Sequence, residues 1–470
     1  VPELSPGRRN LILAICCMSL LIVGMDITIV NVALPAMRTD LHASVSGLQW
    51  IIDAYTVVLA SLLILSGSTA DRFGRRRTFQ VGLTVFTLGS LLCSVAPGLG
   101  WLIAFRMLQA VGGSMLNPVA MSIITNVFTE PRERARAIGF YAGAVGVSLG
   151  LGPVLGGILV ETIGWRSIFW INVPIGIAAF VLAGLFIPES KAERARRVDP
   201  VGQVLVIVVL LTLTYAIIEA PRAGDSWGTW ACGILCVAAF VALLRYESRR
   251  DEPLIQLTFF RSVPFAGASV MGVCAVGAFS AFLFLNTLYL QDVRGLSPLR
   301  AGLLMLPLAV MTVIFAPISG RLVGSLGPRL PLTISGAAMM VGVLPLTGLT
   351  DDVSYGWLLV CTVIFGLGMG MVNPPITNAA VSGMPRAQAG VAAAFASTSR
   401  QVGSSLGIAV AGAIVSAGAG ANARTEFSQA SHAAWWVVVG CSAAVLLLAL
   451  ATTGQRAKRT THHVAELLDA

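Results

Sequence analysis

Fourteen apolar stretches, each near the roughly 20 residues that a membrane helix requires, constrain this chain more than any other feature. They lie near residues 11–36, 47–69, 78–97, 101–128, 136–161, 166–187, 200–219, 228–245, 264–290, 299–323, 330–349, 355–382, 389–418 and 433–453. The connections between them are too short to form a soluble domain. This weakens an enzyme and leaves nucleic-acid binding without a domain to occupy. With 56% of residues apolar, 11% charged and a mean hydropathy of +0.84, the chain is far from soluble domains, where roughly a quarter of residues are charged. Disorder is excluded for the same reason. The first run, from Leu11, is too long for a signal-peptide core and ends without a clear cleavage sequence. Val1 stands where an initiator Met would, which leaves room for a missing initiator or short leader. The expected fold is an all-α integral membrane protein.

An even number of spans puts both termini on one side, and the basic residues test that count. Of the 31 Lys and Arg residues, 23 fall on the side of the termini and 6 on the other, while Arg106 and Arg400 lie inside helices. Cytoplasmic loops carry an excess of Lys and Arg, so both termini are expected in the cytoplasm. The net charge of +9 therefore reflects topology rather than a nucleic-acid partner.

The chain also repeats itself. SGSTADRFGRRR at 66–77 is echoed by SGRLVGSLGPR at 319–329, GGSMLNP at 112–118 by GMGMVNP at 368–374, and SLGLGPVLGG at 148–157 by GSSLGIAVAG at 403–412. The offsets are 253, 256 and 255 residues. Two homologous six-helix halves with two inserted helices account for all fourteen spans. The divisions are an N-terminal bundle over 1–187, a linker with the extra helices over 188–262, a C-terminal bundle over 263–454 and a cytoplasmic tail over 455–470. Repeated halves are the sequence mark of a secondary transporter.

Charged residues inside spans are costly, roughly 2.5–3.5 kcal/mol each on insertion scales if they face lipid, so they point to function. Asp26 sits mid-helix in GMDITIVNVALP and is the candidate proton carrier. Asp53, with Thr56 on the same helix face, is either a second titratable group or a structural partner of a basic residue. Arg106 heads a polar stripe of Arg106, Gln109, Gly113 and Asn117 on helix 4 and needs a carboxylate or water inside the bilayer, with Asp26 and Asp53 the candidate partners. Arg400 on helix 13 is its counterpart in the second half, which has no carboxylate at the centre of any span. Asp26, Asn31, Gln109, Asn117, Asn286 and Arg400 are the polar candidates for lining a substrate cavity. On helix 5, Gly139, Gly143, Gly146, Gly150, Pro153 and Gly157 fall within about 80° of arc, which suits a close and moving helix seam. The loop after helix 2 holds Gly67, Asp71, Arg72, Gly74, Arg75 and Arg76, more than a topology anchor needs, and is read as a two-state cytoplasmic latch. The eight cysteines, Cys16, Cys17, Cys93, Cys232, Cys236, Cys274, Cys361 and Cys441, form no CxxC pair and have no His nearby. No metal or cofactor is expected beyond protons as coupling ion.

Together these segments resemble the major facilitator superfamily, and within it the fourteen-helix drug:proton antiporter branch. Gly67, Asp71, Arg72, Gly74, Arg75 and Arg76 match its helix 2–3 loop motif, with Thr69 in place of the usual Leu. Arg106 in FRMLQAVGGS matches the helix 4 motif whose Arg is associated with proton coupling. Gly139, Gly152, Pro153, Gly156 and Gly157 match the antiporter motif, with Ser148 replacing one Gly. Positions 26–35 match the helix 1 signature of the branch. The second-half loop keeps Gly320 and Gly327 but has Gly324 where the first half has Asp71. The resemblance implies proton-driven export of small amphipathic or lipophilic compounds by alternating access, with monocations or neutral lipophiles favoured over dications. It implies a bacterial-type cytoplasmic membrane and a protein that works as a monomer in the bilayer. A dedicated exporter of one metabolite, lipid or siderophore is the alternative on the same fold, and a non-transporting membrane receptor the remote one.

Overall fold

A computed structural model describes residues 5–191, 199–223, 227–250, 256–381, 389–418, 427–454, 457 and 459–461. Most of the tail expected over 455–470 lies outside the described residues, as do Arg194, Arg196, Arg197, Arg386, Arg424, Arg456 and Lys458 of the charge count.

The described chain is helical throughout. In order the long helices are α1 (Pro6–Asp40), α2 (Val45–Phe73), α3 (Arg75–Ser94), α4 (Leu99–Val127), α5 (Pro131–Thr162), α6 (Ser167–Phe186), α7 (Pro200–Ala223) and α8 (Trp227–Glu247). They continue as α9 (Val263–Leu288), α10 (Pro298–Leu326), α11 (Arg329–Val343), α12 (Tyr355–Val381), α13 (Ala389–Gly418) and α14 (Phe427–Thr452). Local chemistry sets the boundaries. Ser5 caps α1 by accepting from the Arg8 N–H, and Ser44 caps α2 by accepting from the Gly47 N–H. Gly74 ends α2 at φ +110°, a backbone region open to Gly and strained for other residues. Two helices deviate from regular α geometry. α6 breaks at Ile171, one residue before Asn172, and α9 runs into a π-helical turn over Tyr289–Val293.

Among the described residues, thirteen helices are long and apolar enough to cross a membrane. α3, counted as a span from the sequence, falls short of that threshold. Its first turn is Arg75, Arg76 and Arg77, and Gln80, Thr84 and Thr87 dilute the rest. Its inner face is nonetheless apolar, with Phe79, Leu83 and Phe86 fully buried against α4.

The chain divides into two compact units, residues 1–200 with 297–302, and residues 201–296 with 303–470. In the first, α1 packs on α5 and α6, α2 on α4, and α3 on α4 and α6. Its core gathers Ile12, Tyr55, Phe79, Phe86, Leu116 and Ala179. In the second, α9 packs on α13 and α12, and α11 on α12 and α14. The inserted α7 belongs to this unit and is tied to α13 by the buried hydroxyl pair Thr214–Ser405, 3.4 Å apart.

The repeat survives at the level of packing. A side chain on Gly89 would press into the backbone of Gln109, 2.6 Å away, and one on Gly342 into the backbone of Phe365, 2.7 Å away. A Cβ on Gly112 would collide with the Phe86 backbone, and one on Gly368 would stand 2.8 Å from that of Met339. Gly327 takes φ +81°, as its counterpart Gly74 takes +110°. All nine tryptophans, Trp50, Trp101, Trp165, Trp170, Trp227, Trp230, Trp357, Trp435 and Trp436, lie at or near the beginning of an even-numbered helix.

Candidate functional site

The first unit holds a buried ion centre. The Arg106 guanidinium on α4 donates from Nη1 to Asp26 Oδ2 on α1 at 2.5 Å, and both residues are 0% exposed. The same Nη1 donates to Gln109 Oε1 at 2.7 Å, one turn along α4, and Nε donates to the Ile51 carbonyl of α2 at 3.2 Å. The other Asp26 oxygen accepts from Gln109 Nε2 at 2.9 Å and from Asn172 Nδ2 at 3.2 Å. Asn172 also donates to Ser90 Oγ on α3, which donates in turn to the Phe169 carbonyl. The Tyr55 ring lies 4.2 Å from the guanidinium carbon, a cation–π contact. One centre thus joins α1, α2, α3, α4 and α6.

Desolvating two charges costs several kcal/mol per ion, and only close, well-bonded geometry offsets that cost. Here the carboxylate accepts from three side chains. The arrangement also limits what can happen chemically. Removing the charge of either residue would leave its partner as an uncompensated buried ion.

The remaining polar candidates divide. Gln109 belongs to the centre. Asp53 is buried on α2 and accepts from Thr56 Oγ1 at 3.4 Å, while Arg106 turns to Asp26. Asn117, at the far end of the Arg106 stripe, accepts from Tyr141 Oη of α5 at 2.8 Å. Asn31 donates to the Ile27 carbonyl and Asn286 to the Phe282 carbonyl, the same i to i−4 bond at repeat-related positions. Arg400 donates from Nη2 to Ser397 Oγ at 2.8 Å, and its Nη1 is buried without a partner among the described residues.

Among its described residues the second unit has no copy of the ion centre. At the repeat offsets, Ala281, Thr362 and Phe365 stand for Asp26, Arg106 and Gln109. Phe365 stacks on Phe282 with ring centroids 4.3 Å apart, and Trp435 meets Phe282 edge-on at 5.8 Å.

The glycines of α5 form two faces. Ser148, Gly152 and Gly156 face α1: a Cβ on Gly24 would collide with Ser148, one on Gly152 with Thr28, and one on Gly156 would stand 2.8 Å from Ile29. The column drawn from Gly139 points elsewhere. A Cβ on Gly139 or Gly143 would meet nothing within 4 Å. Pro153 and Gly157 lie against Gly302 and Leu299, residues grouped with this unit, while Gly146 and Gly150 are half-buried in the same helix.

At the α2–α3 junction Arg75 pairs with Asp71 at 3.1 Å. The organising group there is Glu189, just beyond α6. Its carboxylate accepts from the backbone N–H groups of Arg76 and Arg77 at 3.1 and 3.3 Å, and lies within 3.8 Å of both guanidinium Nε atoms. It caps α3 and meets the positive end of the helix dipole. Any side chain at Gly74 would strike it. Arg72 is exposed, and a Cβ at Gly67 would meet nothing. Nearby, Arg9 of α1 pairs with Glu133 of α5 at 2.5 Å.

Sequence reasoning overlooked Asn172, Tyr55, Ser90, Glu189 and Glu133. Asn172 could have been found as the amide within SIFWINVP; Glu189 is 113 residues from Arg76 and only the fold reveals it.

A family model described as Major Facilitator Superfamily matches residues 16–408. The chain is 37% identical over 418 residues to the tetracenomycin C resistance and export protein of Streptomyces glaucescens, covering 88% of this chain and 77% of that one. It is 35% identical over 421 residues to the multidrug resistance protein Stp of Mycobacterium tuberculosis, with the same coverage. It is 33% identical over 397 residues to the methylenomycin A resistance protein of Streptomyces coelicolor, covering 83% and 82%. Among solved structures, a bacterial homologue of the human lysosomal transporter Spinster aligns with a TM-score of 0.67 at 18% identity, covering 98% of this chain and 99% of that one.

Proposed function

The chain belongs to the major facilitator superfamily, on its fourteen-helix drug-exporter branch, and from that premise we propose that it exports small amphipathic compounds in exchange for protons by alternating access. It is a multi-pass membrane transporter and not an enzyme. The observation that carries proton coupling is the buried Asp26–Arg106 pair, in which the carboxylate can gain a proton only by releasing its cation. Protonation from outside frees Arg106, lets α4 shift against α1 and favours substrate release outward. Loss of the proton to the cytoplasm restores the pair and the affinity for new substrate. One proton moving inward supplies about 2.3 kcal/mol per 100 mV of membrane potential. Each pH unit adds roughly 1.4 kcal/mol. Asp53, were it also to cycle, would double both.

The moving parts are the six-helix bundles 1–187 and 263–454, with two helices inserted over 188–262. One chain carries both, so a monomer suffices. Glu189 with Arg76 and Arg77, Asp71 with Arg75, and Arg9 with Glu133 tie the first bundle at the end where the termini lie, assigned to the cytoplasm. The setting is a bacterial-type cytoplasmic membrane.

A second reading, export of a single compound, is favoured by the relatives named for one antibiotic each, tetracenomycin C and methylenomycin A. An efflux-deficient bacterial host expressing the chain separates the two. Broad export predicts raised resistance to several unrelated lipophilic drugs, reversed by a protonophore; single-compound export predicts protection against one. No change in resistance or accumulation for any compound would contradict both.

A further inference from the structure

Arg400 is the group in the second unit that the proton mechanism does not use. It lies in α13, eleven residues beyond Ala389, well inside a span. Its Cγ lies 3.4 Å from where a Cβ on Gly272 of α9 would stand, and Nη2 is satisfied by Ser397 Oγ at 2.8 Å. Nη1 is buried and donates to nothing among the described residues. Close by on the same helix, the hydroxyl of Thr398 is buried and has no partner among the described residues either. An arginine cannot shed its proton, so an intramembrane guanidinium keeps its charge and requires an anion, a carbonyl or water. Arg106 has its carboxylate. Arg400 has none among the described residues, and the repeat gives it none: where the first unit places Asp26, the second has Ala281.

We propose that Arg400 is the counter-charge for an anionic group on the substrate, which makes weak organic acids, carrying a carboxylate or an acidic phenol, the preferred substrate class. The inference rests on the export reading above and narrows it. The expectation of monocations came from the missing acidic groups of the second half; the unpaired guanidinium points the other way. An arginine side chain offers parallel N–H donors that match a carboxylate, whereas a cationic compound would meet repulsion at this position. The half-buried side chain leaves part of its surface open, and the unspent Nη1 hydrogens are those a ligand would claim when α13 and its neighbours rearrange.

The test uses two ligands with one skeleton, 7-(diethylamino)coumarin-3-carboxylate and its methyl ester. Their affinities are measured on the purified full chain for wild type, Arg400→Gln and Arg400→Lys, with melting temperature as the folding check. The wild type should bind the acid roughly ten- to a hundredfold more tightly than the ester, the range expected for hydrogen bonds to a charged group. Arg400→Gln should collapse that ratio to near one with ester affinity unchanged. Arg400→Lys, a point charge without the planar fork, should recover part of it. Equal binding of acid and ester by the wild type, binding of neither at millimolar concentration, or equal loss of both ligands in a folded Arg400→Gln would overturn the proposal. Proton-driven movement of a cationic dye such as ethidium alongside any of those results would leave the export reading standing. Absence of gradient-driven transport for dyes of every charge would count against export itself.

Discussion

Asp26 and Arg106 are each tolerable inside the membrane because of the other. Removing one charge strands its partner, at a cost of about 3–5 kcal/mol for a buried pair. Asp26→Asn and Arg106→Gln should therefore each lower the melting temperature more than the double variant does. Melting temperatures that fall additively would show the two residues to be energetically independent. The sequence made both residues conspicuous, since charges at those depths are rare, but it left Arg106 with two carboxylates to choose from. Helical periodicity ranks the residues around one axis and says nothing about how neighbouring helices rotate towards it. Arg106 meets Asp26, while Asp53 is met by Thr56. The stripe from Arg106 to Asn117 was legible, yet its members serve different neighbours: Gln109 bonds Asp26, and Asn117 bonds Tyr141 on α5.

The helices show the same division between what periodicity reveals and what it hides. A glycine column on α5 was evident, but the close approach to α1 uses the adjoining face of Ser148, Gly152 and Gly156. Gly152→Val should drive a branched side chain into Thr28, cost about 1–3 kcal/mol and abolish transport. Gly139→Ala, with nothing within 4 Å, should leave yield and transport near wild type. The reverse pattern, measured by yield of monodisperse protein and by flux, would move the seam back to the column. At the α2–α3 junction the latch residues of the loop were visible in sequence, whereas Glu189, which receives the end of α3, was not. Glu189→Gln keeps an acceptor and loses the charge in a partly exposed setting. It should cost about 1 kcal/mol or less, and the difference should shrink in high salt. A loss undiminished in 1 M salt would mean that packing, not charge, is what Glu189 provides there.

At the scale of the whole chain, two sequence distributions bear on the expected sides. The basic residues are expected mostly on the side of the termini, and six exposed tryptophans, Trp101, Trp170, Trp227, Trp230, Trp357 and Trp436, stand within the first three turns of even-numbered helices, which suits an interfacial belt at those helix ends. Both depend on α3 crossing the membrane despite its polar first turn. In a cysteine-free background, cysteines at Arg77 and Pro97 should react with an impermeant maleimide from opposite sides, and those at Asp40 and Asp351 from the outside. Labelling of Arg77 and Pro97 from one side would remove a span and scramble the charge separation. The fourteen-helix count and the repeat were readable because span length and glycine spacing are local properties. The missing central carboxylate of the second half was readable too, but the matching of positions needed packing: Phe365 and Gln109 are equivalent through the glycines they lie against, Gly342 and Gly89, although their chemistry has nothing in common. The account's central claim is that the ion centre of one unit couples proton entry to export. Its most direct test is flux of a fluorophore panel, spanning neutral, cationic and anionic members, in proteoliposomes under an imposed proton gradient, comparing wild type with folded Asp26→Asn. The expected result is gradient-driven accumulation of at least one member by the wild type, abolished by a protonophore and by Asp26→Asn. A folded Asp26→Asn that still accumulates the compound with the same dependence on the gradient would contradict the claim.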